Sequence, residues 1–453
     1  MLEVGRLILG KLKTWSLNMT LLLLLAPLLV CSQHFKLPQD KSFQKLKFQL
    51  VNNLIVVPVE VNGTKLHFLL DSGVSQPILF NISSKDSVQI NNVTEITIRG
   101  VGHGEPIKAL SSSGNTFKID HIVNQSQKLY VVMDKGINLS PSLGITIHGI
   151  MGYELFRDFV VDISYAKRTI KFFDPEKYEY KKSKKMETMP LAIRNKKAYV
   201  QSTLFLDGIK GLPVTMLVDT GSSDAVWLFE NEHIKVPEKH FDVFLGKGLN
   251  GLVYGKRTKI KGISLGDFLI SDAKAAFPDE LSYSEINSFG NRNGSLGGEI
   301  LKRFDIVFDY SKNQMAFKRN KFFKEPFYYN LSGLNLQHNG MRYIAESIAD
   351  NRGIVKEDEK QFGDVQLIFE NKTKLSLVPE IVISAIRDGS PAHEAGLRQG
   401  DVILAVNGKR VHKYQLQDVV KMVNEKEGKR IKLLVDRYNS DLLFTFKLTK
   451  LFQ

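Results

Sequence analysis

The feature that most restricts what this chain can fold into is a long internal repeat. Leu69-Leu70-Asp71-Ser72-Gly73 returns as Leu217-Val218-Asp219-Thr220-Gly221, at an offset of 219 − 71 = 148 residues. The stretch from Gly149 to Phe172 returns as Gly294 to Phe317, an offset of 294 − 149 = 145. Within it Gly152 falls on Gly297, Phe159 on Phe304, Tyr165 on Tyr310 and Lys167 on Lys312. Between these, Gly100-Val101-Gly102 matches Gly246-Lys247-Gly248, an offset of 246 − 100 = 146. The period is far beyond the roughly 20–50 residues of stacked repeats. Three stretches in one order at nearly constant spacing describe a duplicated lobe.

Each lobe reads as all-β. Phe, Val, Ile and Thr come in short runs, and Asn62-Gly63 and its counterpart Asp207-Gly208 are hairpin turns between apolar segments. The chain then climbs into a buried strand, Leu66 to Leu70 or Val214 to Val218, that ends at an aspartate. The lobes are expected over residues 34–175 and 190–322, with a charged connector from Glu176 through Lys181-Lys182-Ser183-Lys184-Lys185.

A carboxylate at the end of an apolar strand, followed by a hydroxyl residue and Gly, has a specific chemical use. The strand is rigid, and Gly lets the backbone turn tightly and present its amide. The hydroxyl of Ser72 or Thr220 can bond backbone in the opposite lobe. Two such loops meeting about a pseudo-two-fold axis bring Asp71 and Asp219 within a few ångströms. Like charges that close share a proton. One carboxylate then serves as general base toward a water, the other as general acid toward a scissile carbonyl.

These residues resemble the catalytic loops of pepsin-like and retropepsin-like aspartic proteases, most closely bacterial forms with a C-terminal PDZ domain. Asp219-Thr220-Gly221-Ser222-Ser223 with Trp227 is very similar to the family loop, and Ile150-Met151-Gly152 and Leu296-Gly297 resemble its second apolar-apolar-Gly element. The resemblance covers roughly residues 45–320 and is stronger in the second lobe. It implies a catalytic pair, Asp71 and Asp219, supported by Ser72, Gly73, Thr220 and Gly221, and peptide hydrolysis without a covalent intermediate. Departures are Ser72 for Thr, Val74 where a small or hydroxyl residue is usual, and Ser295 for an apolar residue. The family's cleft-covering flap corresponds to Gly100–Gly104 and Gly246–Gly255, which offers His103 and Tyr254 as flap contacts.

After Phe322-Phe323 the texture changes. Ser390-Pro391-Ala392-His393-Glu394-Ala395-Gly396-Leu397 and Gly400-Asp401 through Asn407-Gly408 are very similar to the core of bacterial PDZ domains. Pro391 suits a helix start, Gly396 its end, and Leu416, Val419, Val420 and Val423 mark one face of a later helix. A PDZ domain over residues 325–453 is expected, with a charged insertion near 339–377. PDZ domains take peptide as an added strand and hold a terminal carboxylate on backbone amides. Leu331-Ser332-Gly333-Leu334 resembles that loop, so Ser332, Gly333 and Leu334 are its peptide-binding residues and C-terminal peptides its implied ligands. The fold class expected for the whole is mainly β: two homologous aspartic-protease barrel lobes followed by an α+β PDZ domain.

At the N-terminus Lys11 and Lys13 precede an apolar run from Thr20 to Val30. That is the pattern of a secretory signal over residues 1–31 and is short for a bilayer span. Export to the cell envelope or the exterior follows. Cys31, the single cysteine, either leaves with the signal or becomes a lipid-modified N-terminus. Either way the mature chain has no internal disulfide. The net charge of +14 is spread along the chain without a recognition motif, so nucleic-acid binding is not expected. No HExxH sequence, Cys/His cluster or phosphate-cradling loop occurs, so no metal or other cofactor is implied. Two functions compete: an endopeptidase whose PDZ domain recruits protein substrates, and an inactive envelope peptide-binding scaffold. An intact pair of Asp-hydroxyl-Gly loops favours the first, because a scaffold gains nothing from two adjacent acids.

Overall fold

The computed structural model describes residues 33–83, 86–102, 104–134, 136–180, 185–287, 292–348, 354–356, 366–368 and 372–450. The leader with Cys31, flap residue His103, connector residues Lys181–Lys184 and much of the 339–377 insertion lie outside them. The described chain is mainly β.

Each repeat builds the same core motif. In the first lobe the hairpin Leu54–Val61/Thr64–Leu70 turns at Asn62 and Gly63, both at positive φ, which Asn and Gly tolerate. Its second strand pairs in parallel with Gly149–Met151, Leu69 opposite Ile150 and Leu70 opposite Met151. In the second lobe Lys197–Leu206 and Ile209–Val218 form the hairpin, and the latter pairs in parallel with Gly294–Leu296. The two repeated sequence stretches are therefore neighbouring strands, which explains why they recur together.

The lobes are joined by a sheet of six strands to which each contributes three. Val160–Ser164 lies against Phe304–Asp309, with Val161 opposite Phe308 and Ile163 opposite Ile306. Thr169–Phe173 and Phe43–Lys47 extend it on one side, Gln314–Arg319 and Glu187–Pro190 on the other. One buried apolar cluster runs through both lobes, and Phe156 packs edge-on against Phe308 and stacks on Tyr310. The PDZ domain has its own cluster, centred on Ile383, Val419, Ile431 and Leu433.

The PDZ sheet begins with Leu334–Ile348, an edge strand paired along its length with Lys372–Ile386. The insertion thus prolongs two paired strands into an arm beyond the domain. The helix Pro391–Glu394 is capped by Ser390, whose hydroxyl accepts from the His393 amide, and Leu416–Met422 buries Leu416 and Val419. Arg303 clamps the approach to this domain: it donates to the carbonyls of Phe323 and Glu325 and lies 3.9 Å over the Phe327 ring. The domain also touches both lobes. Leu416 packs on Gly144, Gln417 approaches the Leu143 carbonyl, and Arg387 lies 5.3 Å over Phe241.

Because one core serves both lobes, damage in the first should unfold the second. Ile163→Ala removes a fully buried side chain from the joining sheet and should cost roughly 2–4 kcal/mol. In denaturant titrations the fluorescence of Trp227, which sits in the second lobe, should shift with the far-ultraviolet circular dichroism of the whole. An unmoved Trp227 transition would mean that the lobes are energetically separate.

Candidate active site

The parallel strands deliver both aspartates to one place. The Asp71 amide donates to the Met151 carbonyl at 2.8 Å and the Asp219 amide to the Leu296 carbonyl at 2.9 Å. Each loop then folds back so that Gly73 N–H reaches Asp71 Oδ1 and Gly221 N–H reaches Asp219 Oδ1. The hydroxyl residues cross between lobes. Ser72 Oγ donates to the Val218 carbonyl and accepts from the Thr220 amide. Thr220 Oγ1 donates to the Leu70 carbonyl and accepts from the Ser72 amide. The Ser at position 72 loses nothing in this exchange, since only the hydroxyl is used.

Glycine is required by close approach. A Cβ at Gly221 would collide with the Asp71 carboxyl, and one at Gly152 with the Asp71 carbonyl oxygen. Ser295, which departs from the apolar pattern, lines the cavity just as its counterpart Ile150 does.

Asp71 and Asp219 line one cavity, half-buried and close enough for their carboxyls to interact. Burial first, then the Asp219 charge, pushes Asp71 up to about 7. Asp219 is also raised by burial, but Arg292 and Lys197 oppose the rise. Arg292 acts on Asp219 and not on Asp71, so negative charge is better tolerated on Asp219. Neither cation stood out in the sequence, because Lys197 opens one strand and Arg292 precedes another, far from either Asp loop.

Two hairpins close over the pair. Val93–Ile98 with Ile107–Ile119 comes from the first lobe, and His240–Gly248 with Gly251–Lys259 from the second. Their tips are bonded together through Asn250, which is buried. Its amide donates to the Val101 carbonyl, its carbonyl accepts from Gly104, its Oδ1 accepts from the Gly100 amide, and its Nδ2 donates to the Glu105 carbonyl. A Cβ at Gly104 or Gly248 would strike the opposite tip, which gives the repeated glycines their reason. Asn250 was missed in the sequence, although Asn250-Gly251 is a hairpin signal. Tyr254 lies on the second hairpin, 47% exposed, edge-on to Phe244 and lining the cavity. The hairpin is anchored by Arg257, which holds Asp224 in a bidentate pair at 2.7 and 3.0 Å, while Trp227 Nε1 donates to the same carboxylate. Burial pushes Asp224 up, but Arg257 outweighs it and keeps the carboxyl below the usual range.

Ser332, Gly333 and Leu334 form the loop that opens the PDZ edge strand, and they line the same cavity as the aspartates apart from the buried Ser332. Among the described residues no group of three or more His, Cys, Asp or Glu is arranged to hold a metal ion, and no helix is long and apolar enough to cross a membrane.

Two changes test this geometry. Thr220→Val leaves the Leu70 carbonyl and the Ser72 amide buried without partners and should cost roughly 2–4 kcal/mol, with Thr220→Ser restoring most of it in thermal melts. The second concerns Glu154, the repeat counterpart of Glu299. Glu299 meets Lys274 at 2.6 Å, whereas Glu154 Oε2 has no hydrogen-bond partner among the described residues. Burial pushes Glu154 up to about 7 from an ordinary 4.5. The unfolded chain releases this proton first, so stability falls as pH rises from about 4.5 to about 7 and then levels off. Glu154→Gln should therefore stabilise the protein by roughly 1–3 kcal/mol at pH above 7 and by nothing at pH below 4.5, as read by melting temperature against pH.

Comparison with known proteins agrees with the architecture. The aspartyl protease family model matches residues 57–155, which hold Asp71-Ser72-Gly73 and Ile150-Met151-Gly152, and a PDZ domain model matches residues 382–437. A stretch of 58 residues, 13% of this chain, is 43% identical to probable CtpA-like serine proteases of Staphylococcus aureus strains COL, N315 and MW2. That stretch spans only 12% of the length of those relatives. This chain therefore carries an aspartyl protease domain and, C-terminal to it, a PDZ domain.

Proposed function

We propose that the protein is an aspartic endopeptidase in which Asp71 and Asp219 activate a water against a peptide bond. The observation that carries this reading is the pair of Asp-hydroxyl-Gly loops, locked by reciprocal hydroxyl bonds, with two interacting carboxyls in one cavity beneath the hairpins. Ionised Asp219 takes a proton from the water as its oxygen attacks the scissile carbonyl carbon. Protonated Asp71 gives its proton to the carbonyl oxygen, so the tetrahedral diol forms without a full negative charge. Asp219 then returns its proton to the amide nitrogen as the C–N bond breaks, and Asp71 regains one from the diol. Arg292 supports the cycle by holding charge on Asp219, and Lys197 favours the charged form of both acids. The PDZ domain gives the enzyme a second hold on protein or peptide substrates. Export is supported by the basic n-region and short apolar run before Cys31, with membrane attachment only through a lipid on that cysteine.

Asp71→Asn and Asp219→Asn should each lower kcat on a denatured protein substrate by at least about 10³-fold while the protein stays folded. Activity against pH should be bell-shaped, since the working state carries one proton on the pair. The alkaline limb belongs to loss of that shared proton, at about 7. Lys197→Met removes a positive charge that lowers this value, so the limb should move to higher pH. Chelators should leave the rate unchanged. Full activity in either Asn variant, or loss with EDTA, would overturn the assignment.

A further inference from the structure

The PDZ groove and the acid pair share one space. A single cavity of about 2530 Å³ is lined by Asp71 and Asp219, by the flap residues Val101, Leu249 and Tyr254, and by both walls of the PDZ groove. One wall is the edge strand from Leu334 to Gln337; the other is the helix face carrying Gln417, Val420 and Lys421, with Asn424 just beyond. The domain is held in this orientation by the first-lobe segment Ser140–Gly144, which packs on the edge strand near His338 and on Leu416 and Gln417, and by Arg387 over Phe241 of the second lobe. A strand added to the edge of Leu334–Gln337 therefore lies in the same cavity as the reacting carboxyls.

The end of that groove is not free to take a carboxylate. Three successive amides of its loop already donate to side chains of the domain: Ser332 to Asn424 Oδ1 at 3.0 Å, Gly333 to Asn330 Oδ1 at 2.9 Å, and Leu334 to Ser332 Oγ at 3.2 Å. Both asparagines are tied at their other end. Asn424 Nδ2 donates to the Val420 carbonyl, and Asn330 Nδ2 to the Leu334 carbonyl. A terminal carboxylate would have to displace these oxygens, desolvating its own charge with no unused amide to receive it. A backbone laid along the edge strand beyond Leu334 needs neither the Ser332 nor the Gly333 amide.

We propose that the PDZ groove binds an internal extended segment of the same polypeptide that occupies the cleft, not a free C-terminus. This rests on the endopeptidase reading for the purpose of the hold, though not for its existence. The two sites act as linked contacts on one chain, so their affinities reinforce each other only when the peptide is long enough to reach both.

The test uses the full chain with Asp219→Asn, which separates binding from cleavage, and fluorescein-labelled unstructured peptides read by anisotropy. A peptide of about 25 residues can extend to roughly 80 Å and one of about 8 to roughly 27 Å. The long peptide should bind roughly ten-fold tighter than the short one, and a C-terminal amide in place of the acid should change this by less than about two-fold. Val420→Asp should abolish the advantage of length. Asn424→Ala frees the Ser332 amide and should create a preference for the free acid of roughly five-fold, which serves if Val420→Asp proves unstable. Equal affinity for long and short peptides would overturn the proposal. So would tightening confined to the free acid, which would indicate capture of C-termini. If the wild-type chain cuts neither peptide the endopeptidase reading fails, and the anisotropy result still decides this one.

Discussion

Four hydrogen bonds between Ser72 and Thr220 and the backbone of the opposite strands hold the molecule's centre together. Each hydroxyl donates across the lobe boundary and accepts from across it, so neither loop has its own geometry without the other. Both residues are buried, and at that depth an unmade bond costs more than a made one contributes. The arrangement is therefore all or nothing. It sets the distance between the aspartates, and through Gly221 and Gly152 it determines how closely backbone and carboxyl approach.

Around this lock the structure carries acids that oppose its own stability. Asp71 and Asp219 are pushed up by burial, and Asp71 also by its partner's charge. Such a pair is held only because the lobes share a continuous core and a joining sheet. Elsewhere Asp224 is paired with Arg257 and Glu299 with Lys274, while Glu154 Oε2 has no hydrogen-bond partner among the described residues. Lys197 limits the cost on both acids and Arg292 on Asp219.

The two hairpins and the PDZ domain decide what can reach the pair. Asn250 ties one hairpin tip to the other through both its backbone and its side chain, so opening the cleft means breaking a set of bonds together. Arg387 lies over Phe241, at the start of the second hairpin, so the PDZ domain touches an element that must move when a chain enters. The PDZ domain and the second hairpin are in this way parts of one surface.

The duplication, the strand-end aspartates and the hydroxyl exchange were all legible in the sequence, because each depends on local pattern repeated in register. Alternating burial along a strand, a turn dipeptide and a Gly that admits a carboxyl are properties of a few adjacent residues. The PDZ core was legible for the same reason, with Pro391, Gly396 and Asn407-Gly408 marking its turns. What no local pattern carried were the partners brought together from distant segments. Lys197 and Arg292 beside the acids, Asn250 between the hairpin tips, and Asn424 and Asn330 on the Ser332–Leu334 loop are ordinary residues in their own neighbourhoods. Their roles come from charge and hydrogen-bond geometry over a few ångströms between segments far apart in the chain. The sequence by itself determined which residues would form the lobes, the acid loops and the PDZ domain; the tertiary structure alone decided their electrostatic neighbours and that groove and cleft would open into one cavity.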